Sequence, residues 1–259
     1  MSERVQVPGV TAGRRAKRRG PRVFLIVVAV LAVLLVVLAV VADGVARSYA
    51  EGVAAKKIES SLPAGSTGTV SVGIHGFSVI LQAFRGTLDD VTVSSNDLVV
   101  KGTPLTVSAD AKRVPLSASG TTGPVDARFT IDQAALTTIP AVTNLGGKVS
   151  LRAGTISFER AVTLLGQNVT AVVTAVAAPS ADGSKLLVSP TGATVAGVAL
   201  PKALGSVLQT AAPAICVAQY LPKGATLTHV NVATGTLTLD VQSKGLALSK
   251  AGLTTTGSC

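Results

Sequence analysis

Residues Leu227–Val241 read LTHVNVATGTLTLDV. Val230 and Val232, then Leu237, Leu239 and Val241, fall on alternate positions, with hydroxyl, amide and carboxylate side chains between them. Period two puts the apolar set on one strand face and the polar set on the other. The stretch therefore reads as a β-hairpin with one buried and one solvated face. An earlier stretch has the same spacing. Leu88, Val91, Val93, Leu98 and Val100 match Leu227, Val230, Val232, Leu237 and Leu239 offset for offset. Two related lobes would give that echo, and so would any two amphipathic hairpins.

Working outward, most of the chain after Thr69 has strand character. TVSVGI, LDDVTVSS, DLVVKG, PLTVSADAKRVPL, VDARFTI, KVSLRAGTISF, NVTAVVTAVA and KLLVSP alternate or run with β-branched residues. Asn96-Asp97, Gly146-Gly147 and Asp182-Gly183 punctuate them as turns. About ten strands of ordinary length result. Two helices interrupt them: a short one over Asp132–Ile139 with Asp132 as N-cap, and Pro201–Leu221, kinked at Pro213. The fold class is α+β, a largely antiparallel sheet wrapped around or packed on helices.

Three zones divide the chain. Residues 1–22 form a basic arm, 23–42 a transmembrane signal-anchor helix and 43–259 an extracytoplasmic domain. Residues Val23–Ala42 carry no polar side chain, and twenty helical residues span about 30 Å, the thickness of a bilayer's hydrocarbon core. Arg14, Arg15, Lys17, Arg18, Arg19 and Arg22 precede the run and Asp43 follows it. The positive-inside bias then keeps the N-terminus in the cytoplasm and sends the remainder to the periplasm or cell envelope. An apolar run this long favours a retained single-pass anchor. A cleavable signal ending at Val40-Val41-Ala42 is the alternative. From Asp43 to Leu62, Ala46, Tyr49, Ala50, Val53, Ala54, Ile58 and Leu62 recur at helical spacing as a stalk.

The net charge of +10 does not indicate nucleic acid. Residues 1–22 hold seven basic and one acidic side chain, and the other 237 hold 16 basic and 12 acidic. The excess is mainly a topology signal. Cys216 and Cys259, the only cysteines, lie in the exported part, where a bridge would restrain the C-terminal tail; two unrelated thiols are the alternative. No metal site is indicated, and no cofactor. His75 and His229 are far apart, Asp89 and Asp90 point to opposite strand faces, and no nucleophile elbow, metalloprotease helix or phosphate loop occurs. The expectation is not an enzyme.

The positive signal is apolar surplus. VILQAF, AVTLLG, AVVTAVAA and KLLVSP fail to alternate, so these segments are covered on both faces or turned toward something apolar. Small branched side chains lining a curved sheet can enclose a cleft, and a tightly packed core uses the same residues. Phe77, Val79, Ile80, Leu81 and Phe84 concentrate in eight residues of HGFSVILQAFRG, read as a short helix or irregular segment facing acyl chains. Arg85 is placed to meet a phosphate. Phe129, Ile131, Leu204, Val207 and Leu208 complete the expected lipid-binding lining.

The run HGFSVILQAFRGTLDDVTV through PLTVSADAKRVPL resembles the LmeA-like phospholipid-binding family of actinobacterial cell-envelope proteins. Gly76, Phe77, Ile80, Phe84, Arg85, Gly86, Leu88, Asp89 and Val91 match the family signature. Val125–Ile139 and Leu221–Val241 also look like family segments, and Ser78 stands where the family usually has proline. The resemblance implies a non-catalytic phospholipid-binding protein that supports envelope lipid or lipoglycan biogenesis. Its implied fold is a strongly curved sheet about a long helix, as in tubular lipid-binding domains. Expected partners are phospholipid or a lipid-linked glycan, the cytoplasmic membrane and envelope biosynthetic enzymes. A scaffold that docks such an enzyme through a sheet edge is the rival reading.

Overall fold

A computed structural model describes residues 20–62, 65–100, 102–139, 147–164, 167–199 and 214–259. The chain divides at Gly44/Val45 into two compact units. Helix α1 (Gly20–Ser60) contributes to both. In the first unit every side chain from Val28 to Ala42 is exposed. It is the one stretch among the described residues long and apolar enough to cross a membrane, a test that a signal sequence also passes.

The second unit holds thirteen strands among the described residues, in two antiparallel sheets. The first has seven strands: β1 (Ser66–Thr67), β2 (Ser71–His75), β3 (Thr87–Val100), β4 (Thr103–Pro115), β5 (Val125–Asp132), β12 (Ala225–Ala233) and β13 (Thr236–Ser243). Its order is β1-β3-β4-β5-β13-β12, and β2 pairs with the other half of β3. The second has six: β6 (Lys148–Arg152), β7 (Thr155–Leu164), β8 (Gln167–Pro179), β9 (Lys185–Val195), β10 (Val198–Ala199) and β11 (Ala214–Cys216). Its order is β10-β9-β8-β7-β6, with β11 also on β9. The remaining helices, α2 (Val79–Arg85), α3 (Gln133–Leu136) and α4 (Lys250–Thr254), are short, and a 3-10 turn covers Ala218–Tyr220.

Register gives the first sheet two chemically distinct faces. Ile74↔Val91↔Ala111↔Val125 and Val72↔Val93↔Ala109↔Ala127↔Val241 run across it as apolar rows. The rows between, such as Ser94↔Ser108↔Arg128↔Asp240 and Thr92↔Asp110↔Asp126, are polar. The apolar face packs at its two ends. At one end Ile74, Val79, Leu88 and Val91 cluster with Ala50 of α1. At the other, Leu227, Val232, Leu237 and Val241 meet Val149, Leu151 and Leu186 of the second sheet.

Both edges of the first sheet are covered. Glu51 and Glu59 accept the backbone N–H groups of Ile74 and Val70, each at 2.8 Å. Eight helical residues rise about 12 Å and four strand residues about 13 Å, so two carboxylates one helix face apart fit one antiparallel edge. On the far edge Gly154 N–H donates to Val232 O and Leu227 N–H to Gly183 O. Hairpin tips of the second sheet thus occupy β12, and a free edge that could pair with another chain is closed.

Several expectations change. Asn96-Asp97 makes no turn. β3 runs through it with a register shift between Ser95 and Leu98, because the Asp97 carboxylate accepts from Thr69 N–H and Oγ1–H, which stabilises the extra residue as a bulge. The echo therefore pairs a bulged strand with a true hairpin, β12–β13. The expected helix Pro201–Leu221 is a strand and a 3-10 turn in its last third; residues 201–213 lie outside the described residues. Asp132 holds the N-cap position of α3 without a side-chain capping bond. Of the stalk's apolar positions, Tyr49 and Val53 are exposed, while Ala46, Ala50, Ala54, Ile58 and Leu62 turn inward. Neither sheet closes on itself, and among the described residues no sheet wraps a long helix: the Glu51–Glu59 part of α1 lies along the β2 edge instead.

Candidate functional site

Two apolar surfaces of the second unit stand outside the buried clusters of the described residues. The first is α2. Gly76 (φ 112°) and Gly86 (φ 72°) bracket it. Any side chain at Gly76 would meet Gln82 Nε2 at 2.6 Å, and Gly86 is a left-handed C-cap whose N–H returns to the last turn. Ser78, in the place of the family's proline, caps the N-terminus by accepting Leu81 N–H at 3.2 Å.

The burial of α2 is inverted. Inward it turns Val79, 5% exposed, and Gln82, 2% exposed. Gln82 Nε2 donates to His75 O, and Asp89 N–H donates to Gln82 Oε1 at 2.8 Å. A single amide side chain thus satisfies two backbone groups at the β2 and β3 ends, which accounts for a polar residue beneath the helix. Outward it turns Leu81 (43%) and Phe84 (87%), with Phe77 (94%) just before the helix. Leu116, also exposed, is held alongside by its N–H bond to Gly86 O. Exposed Arg85 has no ion pair among the described residues. Arg47 of α1 donates to Gly76 O at 2.9 Å and fixes the turn.

The second surface is the middle of the first sheet. Leu105, Val107, Ala109 and Ala111 share the apolar face of β4 opposite Leu98, Ser95, Val93 and Val91. All four are half-buried and belong to none of the three core clusters of the described residues. Ala109 and Ala127, side by side, give this strip a low floor between the packed ends.

The expected site residues separate. Phe77, Ile80, Leu81, Phe84 and Arg85 lie on the outer side of α2, and Val79 in the core beneath it. Phe129 and Ile131 lie on the inner face of β5, packed toward the second sheet. Leu204, Val207 and Leu208 lie outside the described residues. Cys216 and Cys259 are joined, Cα 5.9 Å apart, tying the tail to β11. The β4 strip carried a sequence signal, the alternation Leu105, Val107, Ala109, Ala111, but nothing local marks it as lying outside the packed clusters.

On the opposite, polar face a shallow depression of about 250 Å³ is lined by Ser108, Asp110, Asp126, Arg128, His229 and Asp240. It has the residue types of a hydrolase without the arrangement. Arg128 Nε donates to Asp240 at 2.7 Å and holds that carboxyl below its usual range. No hydrogen bond joins His229 to Ser108 or Asp240 among the described residues, so these residues are not assembled as a base–nucleophile pair in this structure. Lys112 is kept protonated above its ordinary range by Asp90, with Asp110 and Asp126 adding to the field. No group of three or more metal-ligating side chains occurs among the described residues.

No curated protein and no solved structure matches the chain. The model of the LmeA-like phospholipid-binding family does match, over residues 41–242, an interval that includes α2, both apolar surfaces and the motif Gly76–Val91. By that match the chain belongs to the LmeA-like phospholipid-binding family.

Proposed function

We propose that this protein is a membrane-tethered, extracytoplasmic carrier or presenter of phospholipid, and that an acyl chain lies along the apolar face of β4. The observation that carries the reading is the strip Leu105–Ala111, half-buried, apolar and outside the packed clusters, in a chain of a phospholipid-binding family. The six steps from Leu105 to Ala111 span about 20 Å, and one leaflet's hydrocarbon is about 15 Å thick, half of a bilayer core. The strip is long enough for one extended chain. Burying ten methylenes there would gain roughly 8 kcal/mol before ordering costs, in the range of micromolar holding.

Phe129 supports one wall of the strip through its pairing with Val107. The basic arm before α1 supports a cytoplasmic N-terminus, a single pass and a domain in the envelope, where lipid or a lipid-linked glycan is the partner and lipoglycan assembly the process served. The depression on the polar face supports no catalytic step. The test is direct. Full-length protein, purified in a lipid-free detergent and extracted with organic solvent, should yield close to one phospholipid per chain by mass spectrometry. A chain that arrives empty and fails to take up fluorescent phospholipid is not a lipid binder.

A further inference from the structure

We propose that α2 is an interfacial foot: Phe77, Leu81 and Phe84, with Leu116 beside them, seat in the headgroup–acyl boundary of the membrane that α1 enters. The helix supports this by its inversion. A seven-residue helix on a water-facing surface would turn Gln82 outward and Phe84 inward, whereas this one does the reverse. Gln82 is held in by two backbone bonds, so the aromatic side cannot roll under. A patch of exposed Phe, Phe, Leu and Leu marks a surface meant for an apolar medium.

The chain itself identifies that medium. Arg47, five residues beyond the last residue of the apolar run, donates to Gly76 O. Five residues extend at most about 18 Å, so the turn that carries Phe77 is leashed close to the membrane surface whatever the arrangement of the two units. Arg85 at the rim of the patch is placed to meet anionic headgroups, as basic residues beside a membrane surface do. Insertion of this kind goes about 5–10 Å deep, within reach of a side chain as long as Phe. The inference rests on the anchoring half of the reading above and is independent of the β4 strip.

The chain contains no Trp, so Phe77→Trp and Phe84→Trp are background-free reporters, with Tyr220→Trp, on an exposed residue elsewhere, as control. Each full-length variant is reconstituted in vesicles of phosphatidylcholine and phosphatidylglycerol, three to one, with bromine near the top of the acyl chains. Intact mass, measured first, shows whether α1 is retained; a clipped chain would sink the anchor but leave the foot to be judged by fluorescence. The expected result is blue-shifted emission at positions 77 and 84 with most of it quenched, and no quenching at 220. Adding Ala109→Phe, which blocks the strip, should leave the quenching intact. Water-like, unquenched emission at both positions overturns the proposal. Quenching that vanishes with the strip blocked also overturns it, since the reporters would then be reading a bound lipid. So does protection found only in native membranes, because the patch would then dock a protein.

Discussion

Ala109→Phe puts the acyl-chain reading at risk. Ala109 lies between Val93 and Ala127 on the floor of the β4 strip. A phenyl ring there rises across the path of an acyl chain and displaces about four or five methylenes, which at about 0.8 kcal/mol each removes some 3–4 kcal/mol of binding. That is a loss of affinity of roughly 150- to 800-fold. Stability should move little, because Ala109 and its neighbours Val93, Val107 and Ala127 are only half-buried and leave the ring room on the open side of the strip. In a filled core the same substitution overpacks and costs about 1–3 kcal/mol, roughly 3–10 °C in a domain of this size. The assay pairs the lipid count per chain, by native mass spectrometry, with a melting curve. Lipid lost at a nearly unchanged Tm supports the strip. Lipid retained with a fall of several degrees would show a packed interior and refute the reasoning.

Two further outcomes follow from the scaffold. The bridge Cys216–Cys259 closes a loop over a sequence separation of 43, for which chain entropy gives about 4 kcal/mol at most, so Cys216→Ser with Cys259→Ser should lower stability by about 2–4 kcal/mol in denaturant titration, with a slope equal or somewhat steeper because the released chain exposes more surface. The carboxyl of Asp182, hydrogen-bonded by the hydroxyls of Ser180 and Ser184, and that of Asp97, held by Thr69, are both below their usual range. Depressed folded pKa values contribute stability that is whole above the unfolded value near 4 and lost as pH falls through the folded ones. Tm should therefore decline below pH 4, and Asp97→Asn with Asp182→Asn should flatten that decline; an unchanged slope would contradict the assignment.

The first sheet was legible because a period of two needs only local sequence. Val230, Val232, Leu237 and Leu239 declare their face in any register. What was not legible depended on distant partners. Asn96-Asp97 carries turn residues, and only Thr69, far back in the chain, converts it to a bulge. Ala214–Cys216 lies in an Ala-rich run that fits a helix locally, yet it pairs with Lys185–Leu187 of β9 and is pinned by the bridge. Such long-range pairing overrides local preference. The strip on β4 follows the same rule: alternation shows which side of a strand is apolar, and only the assembled clusters show which apolar residues stay outside them among the described residues.

The motif Gly76–Val91 was legible as a concentration of apolar residues and misleading as to direction. Among Val79, Ile80, Leu81 and Phe84, Gln82 reads as the solvated position. Yet the ends of β2 and β3 beneath α2 present His75 O and Asp89 N–H, and Gln82 is the side chain that serves both. Burying the amide is what sends Phe84 outward. Gln82→Leu tests this. It keeps the volume, strips both partners of their bonds and should cost about 2–3 kcal/mol, since each orphaned group carries about 1–3 kcal/mol when buried and both sit only part-buried here. Tm should fall roughly 5–10 °C. More tellingly, a Trp at position 84 should change its environment in water, as the helix, released from His75 and Asp89, turns its aromatic side toward Ile74 and Leu88 beneath it. If that reporter stays fully water-exposed in the Gln82→Leu background, the outward phenylalanines are set by something other than the buried amide.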